Sequence, residues 1–193
     1  MLLHKKYLKY KTKYLLLKNQ IGGNLKRILK EINEIKDKPI PGVQVKDLDE
    51  VDEKGCSGYK LNLYIDGPTG TFYEGGIFIF EVVFPKDYPF MEPKFKLMNR
   101  IFHPNFNEGR IWIKKLAQKR SFPEFSLSEC WNVSTTISDV INIIIELLKN
   151  PDTLENIGTI VNHDALILFN TNKDEYNKMV KDYIQRFAKK PEE

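Results

Sequence analysis

The chain has 193 residues, 41% of them hydrophobic and 29% charged, with a formal charge of +4 at pH 7. This suits one globular domain with an appended segment and excludes a disordered or fibrous chain. The charge is unevenly placed: residues 1–23 hold six Lys and no acid, while the 24 basic and 26 acidic residues of 24–193 leave the body at −2. The basic average is therefore no sign of a nucleic-acid-binding domain, and no nucleic-acid partner is expected.

Two cysteines, Cys56 and Cys130, make neither a disulfide framework nor a C-x-x-C zinc spacing. No metal or other cofactor is expected, and the expected compartment is reducing, cytoplasm or nucleus. The longest apolar run, 140–148, is broken by Asn142 and Glu146 and is too short to cross a bilayer. The run at 14–17 is too short for a signal peptide.

In chain order, Leu3, Tyr7, Tyr10, Tyr14, Leu17 and Ile21 alternate spacings of four and three, the apolar stripe of a basic amphipathic helix. Packing on its own domain, self-association, targeting and membrane-surface contact are all open to it, although Trp and Phe anchors are absent. Gly22-Gly23 is expected to end that helix, separating a leader, 1–23, from a body, 24–193. Asn24 is expected to cap a helix over 25–35, closed by the prolines at 39 and 41. Residues 43–45 start a strand, and the acidic stretch 47–53 reads as an exposed turn. Residues 59–65 alternate as a half-buried strand, 66–70 is turn chemistry, and 76–84 is the strongest strand pattern in the chain.

Three prolines within 85–93 then forbid a helix or a central strand, and the segment reads as an ordered loop packed through Phe84, Tyr88 and Phe90. Residues 95–98 return as a short strand, and His103-Pro104-Asn105 starts a turn containing Gly109. Beyond Trp131, Ser134 or Thr135 is expected to cap a helix over Ile137, Val140, Ile141, Ile144 and Leu148, ended by Asn150-Pro151. A short helix over 163–169 and an amphipathic one over 174–188 complete an α+β order.

His103-Pro104-Asn105, placed after the Tyr88-Pro89-Phe90 loop with Pro93, resembles the ubiquitin-conjugating (E2) family. Leu25-Lys26-Arg27-Ile28 is similar to the start of the family's first helix. Gly67-Pro68, Tyr73-Glu74-Gly75-Gly76-Ile77-Phe78 and Trp131 with the helix behind it also fall in the family's order. The resemblance covers about 24–189 and implies the UBC fold: N-terminal helix, four-stranded antiparallel sheet, C-terminal helices. It is finer for the long-loop subgroup, since Trp112 and Trp131 lie nineteen positions apart and 161–165 resembles the segment after that subgroup's second helix. Two departures stand out. The inserted loop is basic (Lys114, Lys115, Lys119, Arg120) where the subgroup's is acidic, and Glu92 replaces a usual proline.

In active members a cysteine carries ubiquitin as a thioester at the position that Trp112 holds here. The resemblance gives Asn105 the role of oxyanion donor, with turn stabilisation as the alternative, and makes His103 and Pro104 structural. It places Lys26, Arg27, Phe90, Asn132 and Val133 on the face that E1 and E3 proteins share, with Phe90 pointing outward. Acyl transfer needs a thiolate, which Trp cannot supply. One reading is a catalytically silent E2-like module that binds ubiquitin or a ubiquitin-like protein, an E1, an E3 or an active E2. A second is an active transferase using the relocated thiol of Cys130. A third is a spacer delivered by its leader.

Overall fold

Alternating apolar and polar side chains build the centre of the molecule. The computed structural model describes residues 23–53, 56–107, 110–111, 131–151, 153, 160 and 162–189. Strands β1 (Val43–Glu53), β2 (Cys56–Asp66), β3 (Ile77–Pro85) and β4 (Lys94–Leu97) form one antiparallel sheet in sequence order. Leu61, Leu63 and Ile65 of β2 stand opposite Val82, Phe80 and Phe78 of β3, and all six are buried. Because side chains alternate faces along a strand, this register points one whole face of the sheet into the core. Ile28, Ile32 and Ile35 of helix α1 (Gly23–Asp37) pack against it. So do five apolar residues of α2 (Ile137–Lys149), Ala165 of α3 (His163–Thr171), and Tyr176 and Val180 of α4 (Lys173–Phe187). The order helix, four-stranded antiparallel sheet, helices is the α+β layout expected from the sequence.

Several local expectations are corrected. The acidic stretch after Val45 is no turn: β1 continues to Glu53, with a bulge between Lys46 and Asp49 where Asp47 takes φ 52°. An edge strand tolerates charge, and backbone pairing with β2 holds this stretch extended without an apolar signal. Asn24 lies inside the first turn of α1 instead of before it. Its Oδ1 accepts the Leu25 N–H (2.6 Å), and its Nδ2 donates to the Lys86 carbonyl (2.8 Å), tying α1 to the segment after β3. The cap of α2 is Thr136, in a reciprocal capping box with Asp139. Ser134 and Thr135 are spent in the preceding turn, on the Asn132 side chain and carbonyl. The other helices and β4 differ from expectation by one or two terminal residues.

A second, two-stranded sheet, β5 (Phe106–Asn107) with β6 (Arg110–Ile111), follows the His103-Pro104-Asn105 turn, and β6 lies against β4. The turn between β2 and β3 depends on Gly67, whose N–H bonds the Gly76 carbonyl (2.8 Å). A Cβ there would stand 1.7 Å from the Tyr73 carbonyl oxygen. The end of α4 is sewn to the sheet: the Ile77 N–H donates to the Ala188 carbonyl (2.8 Å), and the Asn99 amide bonds Ile77, Ile79 and Phe187. Among the described residues, no helix is long and apolar enough to cross a membrane. Leader residues 1–22, Trp112 and Cys130 lie outside the described residues.

Candidate functional site

The His103-Pro104-Asn105 turn is held from three sides. His103 is fully buried, its ring between Tyr73 (centroids 5.2 Å apart) and Phe106 (4.4 Å, edge to face). Its Nδ1 accepts the Asn105 N–H (2.9 Å), so the ring proton sits on Nε2 and is donated to the Leu147 carbonyl (3.0 Å). Burial drives the pKa of His103 down to about 3, against a smaller opposing pull from the Leu147 carbonyl. At neutral pH the imidazole is uncharged and fixed in one tautomer, joining the turn to the end of α2. Pro104 is buried, and its carbonyl accepts the Asn162 N–H (3.1 Å). Asn162 in turn caps α3 through Ala165 N (3.1 Å), so one residue fixes where α3 starts and how it abuts the turn. Asn105 is fully buried as well.

Behind the turn, the Tyr73 hydroxyl donates to the Phe102 carbonyl (3.0 Å), which leaves Tyr176 as the donor in the 2.5 Å bond between the two hydroxyls. Burial is the main cause that pushes both phenols upward in pKa. They serve as neutral hydrogen-bonding groups between β3's approach and α4.

A second cluster forms where α1, the proline loop and the residues before α2 meet. Phe90 is 79% exposed, with Met91 and Val133 at 52% and 44%. Lys26 and Asn132 are exposed too. The loop reading is corrected at Phe90: Phe84 and Tyr88 pack inward, edge to face at 5.0 Å, while Phe90 turns to solvent. The Tyr88–Pro89 peptide is cis, and the Pro89 carbonyl accepts Trp131 Nε1–H (2.6 Å), drawing the Phe90 and Val133 segments side by side. Arg27 points into the protein. Its Nε is bonded to Glu31, and its Nη2 makes long contacts with the Val133 and Thr135 carbonyls (3.4 and 3.5 Å). The Glu31 hydrogen bond, ahead of the opposing desolvation, raises the Arg27 pKa.

Glu31 is the residue that sequence reasoning missed. It is 2% exposed, on the same face of α1 as Ile28 and Ile32. Oε1 accepts from Arg27 and from the Tyr88 hydroxyl (2.8 Å), and Oε2 accepts the Ile137 N–H (2.8 Å). The i,i+4 pair with Arg27 is visible in the sequence. The other two donors stand 57 and 106 residues away and are not. Among the described residues, no three His, Cys, Asp or Glu side chains gather as a metal site. Cys56 opens β2.

The pattern of the ubiquitin-conjugating enzyme family matches residues 27–184. Ubiquitin-conjugating enzyme E2 14 of Schizosaccharomyces pombe is 28% identical over 166 residues, covering 85% of this chain and 94% of that protein. A crystal structure from Plasmodium yoelii, assigned provisionally to the ubiquitin-conjugating enzymes, superposes with a TM-score of 0.70. It is 24% identical and covers 90% of this chain and all of the other. The helix–sheet–helix order, the buried His-Pro-Asn turn and a family match spanning nearly all of the body agree: the chain belongs to the ubiquitin-conjugating enzyme family.

Proposed function

We propose that this chain is a catalytically silent member of the family, a docking module for the ubiquitin pathway that carries no thioester of its own. The family as a whole works with ubiquitin, E1 and E3 proteins. The observation that carries this reading is a pairing. Phe90, Met91 and Val133 are exposed on adjoining segments, while the motif position of the family's nucleophile is Trp112. An exposed aromatic beside a second apolar side chain is the kind of anchor on which protein interfaces concentrate their energy. An indole can neither attack a thioester nor leave from one. A buried, well-tied turn supports the fold whether or not acyl transfer takes place on it. On this reading the partner is an E1, an E3 or an active E2, met in the cytoplasm or nucleus.

The test is charging with E1, ATP and ubiquitin, read on gels with and without DTT. Wild type is expected to form no DTT-sensitive adduct, and Trp112→Cys to gain one. A wild-type adduct that is lost in Cys130→Ala would overturn silence and make the chain a transferase with a relocated thiol. Phe90→Ala, with Tm unchanged, is expected to weaken E1 binding about tenfold or more. Unchanged binding would remove this face from the reading.

A further inference from the structure

We infer that Glu31 is a positioning residue for the docking face: it sets the spacing between the Phe90 loop and the Val133 segment. This rests on the docking reading above. The Glu31 side chain is only 2% exposed. It collects donors from three separate pieces of chain: Arg27 on its own helix, the Tyr88 hydroxyl two residues before Phe90, and the N–H of Ile137, the first residue of α2. That N–H is one of the groups a helix start leaves without an intrahelical partner, and a negative side chain there meets the positive end of the helix. Arg27, held by Glu31, reaches on to the Val133 and Thr135 carbonyls. Both apolar elements of the face thus depend on one side chain, Phe90 through Tyr88 and Val133 through Arg27 and Ile137.

Energetics separate positioning from plain stability. Taking a carboxylate and part of a guanidinium out of water is costly, and well-packed apolar replacements of such a pair are often as stable or more so. An apolar contact is also tolerant of small shifts, whereas three hydrogen bonds on two oxygens accept only a narrow range of geometry. The cluster therefore contributes more to where the two segments lie than to how stable the domain is. Arg27, by the same contacts, supports the face from behind and is largely spent before any partner arrives.

The experiment measures binding and geometry separately on the full chain. Binding of purified E1 is followed by biolayer interferometry at 20 °C for wild type, Phe90→Ala, Glu31→Gln, Tyr88→Phe and, as a control that removes a buried hydroxyl far from the face, Tyr176→Phe. Geometry is read as the nitroxide–nitroxide distance distribution in a Cys56→Ser, Cys130→Ser, Phe90→Cys, Val133→Cys background, with and without Glu31→Gln. Glu31→Gln is expected to weaken E1 binding about fivefold or more and to broaden the distance distribution, and Tyr176→Phe to do neither. An unchanged affinity together with an unchanged, narrow distribution in Glu31→Gln would overturn the inference. If Phe90→Ala binds E1 as wild type does, the docking reading fails, and the distance distribution alone decides the role of Glu31. If Glu31→Gln does not fold, Tyr88→Phe, which deletes one bond and keeps the ring, carries both measurements with the same expected directions.

Discussion

Acidification should destabilise this protein through His103. In the folded chain the imidazole is buried and neutral, with a pKa of about 3. In the unfolded chain it returns to about 6.5. Because the folded value is the lower, the unfolded state binds the extra proton anywhere between these limits. Stability is then full above pH 6.5 and falls as the pH drops through the window toward 3. At pH 4.5 the lost stability amounts to roughly 3 kcal/mol. That is a large part of the 5–15 kcal/mol typical of a domain. With a urea m-value of about 2 kcal/mol/M, the midpoint should move down by about 1.5 M between pH 7.5 and pH 4.5. His103→Gln is the comparison: it should cost about 2 kcal/mol at pH 7.5, since the Leu147 carbonyl and Asn105 N–H lose their shared partner. It should then show a much flatter pH dependence, because the carboxylates common to both proteins cancel in the difference. Parallel pH curves for wild type and His103→Gln would refute this account.

Tyr73→Phe should cost more stability than Tyr176→Phe, about 2 against about 1 kcal/mol in urea unfolding, because only the first strands both the Phe102 carbonyl and a buried hydroxyl. Thr136→Ala should lower stability by about 1 kcal/mol through loss of the α2 capping box, and Thr136→Ser should recover most of it. Gly67→Ala should leave little soluble folded protein on gel filtration, since its Cβ would fall 1.7 Å from a backbone oxygen that cannot step aside.

What was legible in the sequence was what repeats. The period-two alternation of β2 and β3 and the stripes of α2 and α4 announced themselves, because burial of one face imposes the spacing. The family's punctuation of Gly, Pro and His placed the turn. What escaped is held together by long-range pairing. β1 carries charges all along its second half and is a strand because β2 lies beside it. Phe90 has the composition of a core residue and reads as one by pattern alone; only the family resemblance set it facing outward, as it is. Glu31 and Asn162 look like ordinary surface polar residues, because their decisive partners lie in distant parts of the chain.

The seam between Ile77 and Ala188 has a consequence for the order in which this chain can fold. The first residue of β3 waits for a carbonyl 111 residues downstream, and the Asn99 amide waits beside it for Phe187. At synthesis rates of about 5–20 residues per second, that interval is on the order of 6–22 s. During it, the β2–β3 hairpin can pair locally, but the core that holds Phe78 and Phe80 lacks Tyr176 and Val180 of the last helix. Such separated contacts raise the contact order and slow closure of the domain. A nascent chain halted before Phe187 would present a paired aromatic face that α1 and α2 cover only in part, a species open to chaperone capture or aggregation.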